Sequence, residues 1–166
     1  MKPSASRRAN QETAEISARY WAERGGKPVP RPRHPLTPSE ENAYLVKGSR
    51  LCNKRNFYEG HDEWEEVWRR ATGTRRRFLH GLIQVAVGYE HHRRGNVKGM
   101  RSLLRQGAKK LQHFTRRPGV RELRAKALAD AEGDLPDVVP PRLMLTIAGH
   151  TATAPKDAIR IEVPPV

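Results

Sequence analysis

Between Thr74 and Arg94 the chain carries Phe78, Leu79, Leu82, Ile83, Val85, Ala86, Val87 and Tyr89, which at helical spacing make the segment apolar on nearly every side. A helix that is apolar all round has to be surrounded by other elements, so this segment demands neighbours on every face. Gly81 and Gly88 stand seven residues apart on one of those faces, where a second helix can approach closely. Few folds satisfy such a segment, and a helical bundle built around it is the simplest.

The flanking sequence supplies the other helices. Thr37-Pro38-Ser39-Glu40 reads as a capped start, with Thr at the cap, Pro at the first helical position and Glu three residues on. The first core helix then runs to about Arg55. Asn56, with Glu59 in the capping-box position, opens a second helix that runs to about Ala71, where Thr72-Gly73-Thr74 breaks it. The third helix ends at Gly95. A fourth follows Asn96 as its cap, with Val97, Met100, Leu103, Leu104, Ala108, Leu111 and Phe114 at 3–4 spacing, and a weaker fifth occupies about Val120 to Gly133. Short loops between helices of this length predict an all-α bundle of about five antiparallel helices over residues 38–133.

The two ends read differently. Residues 1–37 combine an amphipathic helix from about Asn10 to Arg24, bearing Ile16, Tyr20 and Trp21, with a basic, proline-rich arm after Gly25-Gly26 that is expected to be extended. Residues 134–166 are a proline-rich tail with short apolar alternation at Leu143–Ile147 and Ile159–Val163. Lying along the bundle, forming an edge strand and disorder are all open to it.

Charge narrows the partners. The chain has 32 basic and 18 acidic residues, a net charge of +14, and most of the excess lies between 38 and 133 in the clusters Arg69-Arg70, Arg75-Arg76-Arg77, Arg93-Arg94, Lys109-Lys110 and Arg116-Arg117. These fall at helix ends, and three of them at C-termini that favour cations. They are read either as a solvated basic surface or, with the arm, as a grip for nucleic acid or an acidic partner. A single cysteine, Cys52, excludes a disulfide framework and is expected to be an inert core thiol. No apolar run approaches the ~20 residues that span a bilayer, so no membrane partner and a cytoplasmic location are expected. No oligomeric state follows. Phosphate-cradling glycine loops, Cys-x-x-Cys pairs and nucleophile elbows are missing from the sequence, which argues against nucleoside-triphosphatase, zinc-finger and hydrolase-fold readings.

The chemistry concentrates in Asn56–Trp68. His61, Glu65 and Trp68, at i, i+4 and i+7, fall within about 60° of one another on one helical face, with Trp64 and Val67 beside them toward the core. An imidazole and a carboxylate one turn apart can share a hydrogen bond, co-ligate a metal or divide a proton transfer. His80, Gln84 and His91 share one face of the third helix. A turn centred near Gly73 sets Gln84 level with the His61–Glu65 pair and leaves His91 ~9 Å beyond it. A three-ligand metal site therefore needs His91, His92, His80 or Glu59 to reach the pair. Asn96 is expected to be a helix cap, and His34, His113 and His150 surface groups.

Glu59-Gly60-His61, Trp64-Glu65-Glu66-Val67-Trp68, Gly81–Val87, His91-His92-Arg93-Arg94-Gly95-Asn96, Gly99 and Leu103-Leu104, in that order, resemble the bacterial and archaeal family catalogued as domain of unknown function 309. The resemblance implies a helical fold and a functional, metal-binding motif of His, Glu and an aromatic, here His61, Glu65 and Trp68. Where that family usually reads Glu-Ala-His-Glu, this chain has Gly60 and Asp62. Three readings follow. The first is a metal-binding domain, extending to a metal-assisted hydrolase, with zinc, manganese or iron on His61, Glu65 and His91. The second is a non-enzymatic basic module that binds RNA or an acidic partner. The third is a purely structural His-Glu-Trp network.

Overall fold

The computed structural model describes residues 34–166 and four upstream helical positions, Gln11, Glu15, Ala18 and Ala22. The apolar face expected at Ile16, Tyr20 and Trp21, and the proline-rich arm as far as Arg33, lie outside the described residues. The chain divides into a unit ending at His34 and a second from Pro35 to Val166.

Within the second unit, five α-helices and a two-stranded sheet are present among the described residues. Helix α1 (Pro38–Asn53) starts as the capping box requires: Glu40 N donates to Thr37 Oγ1 at 3.2 Å and Thr37 N to Glu40 Oε2 at 2.8 Å. Helices α2 (Phe57–Trp68), α3 (Gly73–Arg93), α4 (Val97–Leu111) and α5 (Val120–Glu132) follow close to their expected bounds. Asn56 is an exception, for its side chain caps nothing. The α1–α2 turn closes through the backbone instead, with Asn56 N on Leu51 O and Arg55 N on Cys52 O, while Arg55 takes a left-handed φ of 67°. Asn96 does cap α4, accepting from Gly99 N at 3.0 Å.

Every residue from Gly81 to His91 is buried, as an all-apolar helix demands. A Cβ at Gly81 would lie 3.1 Å from Leu111, and one at Gly88 would lie 2.9 Å from Leu104, so α4 rests directly on the α3 backbone. Among the described residues no helix is long and apolar enough to cross a membrane.

The tail joins the same unit. Strand β1 (Leu143–Ile147) pairs in parallel with β2 (Ile159–Val163), Leu143 opposite Ile159 and Ile147 opposite Val163. The outer edge of β1 is satisfied by side chains of α1. Asn53 bonds both the N–H and the C=O of Leu143, Ser49 Oγ accepts from Leu145 N at 2.9 Å, and Asn42 Oδ1 accepts from Ile147 N at 2.9 Å. Positions 42, 49 and 53 lie on one helical face, so α1 takes the place of a third strand and leaves no buried N–H orphaned along that edge.

Candidate functional site

Helix α2 presents its core face through Trp64, which is fully buried and donates its indole N–H to Leu45 O of α1 at 3.1 Å. The indole fits because residue 48 is glycine: a Cβ there would stand 2.5 Å from the ring. Gly60 is needed for the same reason, since a Cβ would stand 2.5 Å from Cys52 Sγ and 2.8 Å from Gly48 O. The two helices therefore touch backbone to backbone beneath the stripe. Burial, then the nearby charge of Glu59, drives the Cys52 thiol far above its ordinary range, which keeps it protonated and inert.

His61 is buried, with the Tyr58 ring edge-on at 4.6 Å. Its Nδ1 lies 3.3 Å from Phe57 O, an atom that can only accept, so the proton in that contact belongs to Nδ1. Nε2 faces Glu65 Oε1 at 3.7 Å, longer than a hydrogen bond. Glu65 takes Arg69 Nη2 instead, at 2.6 Å. Beside the pair, burial holds the Asp62 carboxyl above the usual carboxylate range, with His61 pulling against it and Glu65 adding to it. Trp68 is half-buried, covered by the Arg76 guanidinium 3.9 Å from its ring, and the His80 ring lies 5.5 Å away.

The residues expected on one face of α3 go to three different neighbours. His80 lies against Trp68. Gln84, read from the helix turn as the natural neighbour of His61 and Glu65, gives its Oε1 to Lys110 Nζ at 2.8 Å, because α4 rather than α2 covers that face at Gly81. His91 meets Asn96 Nδ2 through Nδ1 at 2.9 Å. Since Asn96 Oδ1 is already the acceptor for Gly99 N, its Nδ2 is the donor, and the His91 proton sits on Nε2, which is buried without a partner among the described residues. His91 thus serves the α3–α4 turn. His92, next in the chain, is half-buried. Among the described residues no group of three or more His, Cys, Asp and Glu side chains is placed to hold a metal ion; the structure sets His61 beside Glu65 and puts His91 on Asn96 instead.

Two features of this region had no signal in local spacing. Arg75, counted in sequence with an exposed arginine cluster, is buried in a bidentate pair with Glu41. Lys110 reaches Gln84 from another helix.

Burial, with neighbouring cations adding to it, holds the His80 imidazole at about 4; burial likewise holds His91 at about 4, against the pull of Glu90. Both lie below the ordinary value of 6.5, so in this window the unfolded chain binds protons that the folded chain refuses. Stability should therefore fall as pH is lowered from about 6.5 toward 4. The urea midpoint followed across that window should decline, and decline less in His91→Gln; a flat profile for the native chain would contradict the burial of both rings.

Residues 45–103 match the model of the family described as a domain of unknown function, number 309. A 59-residue stretch is 37% identical to the uncharacterized protein YpuF of Bacillus subtilis (strain 168), covering 35% of this chain and 34% of that relative. The chain thus spans about a third of the length of the curated relative it matches. The family match takes in His61, Glu65, Trp68, His80, Gln84 and His91, and excludes Glu41, Lys109, Lys110 and both strands.

Proposed function

We propose that this helical unit, which carries domain of unknown function 309 over residues 45–103, is a non-enzymatic module that binds nucleic acid through its basic helix ends. On this reading the His61–Glu65–Trp68 stripe is the framework that holds those ends in place. The observation that carries it is the occupancy of the stripe by the chain itself. His61 is only 2% exposed and turned to its own helix, so it is closed to a substrate, and the Glu65 carboxylate is already paired with Arg69. What is left over is charge, which acts on polyanions without any catalytic group.

The test is fluorescence anisotropy with a labelled single-stranded RNA over a salt series, on the native protein and His61→Gln. Affinity should fall steeply as salt rises, and His61→Gln should bind within about twofold of native while losing about 1–3 kcal/mol of unfolding free energy in a urea titration, the cost of a disturbed buried polar group. Two results would overturn the reading. One is binding that does not change with salt. The other is stoichiometric zinc, manganese or iron in the purified protein that is lost on His61→Ala.

A further inference from the structure

Three helix ends meet at one end of the unit: the C-terminus of α2 and the N-terminus of α3, with Arg76 lying on Trp68, and the C-terminus of α4, where Gly81 packs on Lys110 and Leu111. The Phe78 ring meets Phe114 edge-on at 5.0 Å just beyond. The arginines and lysines gathered there divide into two sets. Arg69 and Arg70 pair with Glu65 and Glu66, and Arg75 pairs with Glu41. Arg76, Arg77, Lys109 and Lys110 have no carboxylate partner among the described residues.

The second set is closely grouped. Lys110 feels the charges of both Arg77 and Lys109, and with burial as the larger cause its ammonium is held below the ordinary lysine range. His80 lies against the Trp68 ring that Arg76 covers. Lys110 is held in place by the carbonyl of Gln84, a neutral group that is itself 2% exposed, so the ammonium is positioned without being neutralised. The first turn of α3 contains no acidic residue to offset the arginines beside it. Cations grouped in this way repel one another in the free protein, and an external anion relieves that repulsion.

The chemistry of the patch selects the kind of anion. The exposed large apolar side chains among the described residues are Val139 and Val166, and neither belongs to it. A protein partner is anchored chiefly by buried apolar or aromatic contacts, whereas a nucleic-acid backbone is held by its phosphates. We propose that Arg77, Lys109 and Lys110, with Arg76 and His80 beside them and Gln84 positioning Lys110, form a site that grips consecutive phosphates of a nucleic-acid backbone. This rests on the binding reading above and assigns it a place.

The experiment measures anisotropy of fluorescein-labelled oligouridylate with the full chain. Arg77→Ala/Lys109→Ala should weaken binding roughly tenfold or more near 0.1 M salt and reduce the slope of log affinity against log salt by about one to one and a half. Lys54→Ala/Lys98→Ala removes the same charge elsewhere, Lys98 standing ~18 Å along α4 from Lys110, and should bind close to native. Gln84→Glu, which gives Lys110 an internal counter-charge, should weaken binding with the net charge lowered by only one. An equal loss in the two double variants, or no loss in Gln84→Glu, overturns the site and leaves the broader reading standing. No binding by the native chain overturns both. Displacement of the RNA by polyglutamate at equal charge concentration overturns nucleic acid as the occupant in favour of an acidic protein.

Discussion

Replacing Glu41 with alanine is expected to lower the free energy of unfolding by about 3–5 kcal/mol, because it strands a buried guanidinium. Arg75 and Glu41 are 8% and 4% exposed, and two parallel hydrogen bonds of 3.2 and 2.6 Å join them. The third contact, from Arg75 Nε to Pro164 O at 2.7 Å, brings in the segment after β2. One guanidinium thus ties the first turn of α1, the first turn of α3 and the end of the sheet. Arg75 sits where the helix dipole opposes a positive charge, so without Glu41 only the neutral Pro164 carbonyl offsets its burial. Urea unfolding followed by circular dichroism measures the loss. The double variant Glu41→Leu/Arg75→Met should recover much of it, since apolar replacement of a whole buried ion pair is often close to neutral. A loss for Glu41→Ala below about 1 kcal/mol would place the pair with ordinary surface salt bridges and sink this account.

The second large effect belongs to Trp64. Trp64→Ala should cost about 3–5 kcal/mol, as expected for removing a fully buried aromatic ring. Backbone contact between α1 and α2 at Gly48 and Gly60 limits how far the helices can collapse into the space. Trp68→Ala should cost roughly half as much or less, because its ring is half-buried and covered on one side by the Arg76 guanidinium. The same denaturation series ranks the two. If the Trp68 variant is the less stable one, the assignment of Trp64 as the support of the α1–α2 contact is wrong.

Much of the fold was legible because its causes are local. The capping box at Thr37 and Glu40 involves residues three apart. The burial of α3 follows from its own composition, and its two glycines announced the close approach of α4. The stripe of His61 and Glu65 on one face is set by helical spacing alone. Asn56 misled because a left-handed Arg55 closed the turn through backbone groups, a choice its side chain does not announce.

The partners of the stripe were not legible. Each residue along a helix turns the face by about 100°, so the exact wrap of the turn at Gly73 decides whether Gln84 meets α2 or α4. It meets α4, and His91 is taken by Asn96 five residues on. The tail was undecidable for a related reason. Its strands are completed by Asn42, Ser49 and Asn53, residues 90 to 105 positions away that look like ordinary polar positions of a helix.

By itself, then, the sequence determined where the helices start and stop, that α3 is central, and that a His-Glu-Trp stripe runs along α2. Those features depend on neighbours within one or two turns, where backbone geometry is regular enough to be read from spacing. Only the tertiary structure decided which polar groups meet, and so which charges are spent. It buried Arg75 on Glu41, turned Glu65 to Arg69, and left Arg76, Arg77, Lys109 and Lys110 without an acid among the described residues. A count of charges cannot make that division, because ion pairing depends on distances of a few ångströms between residues that are far apart in the chain.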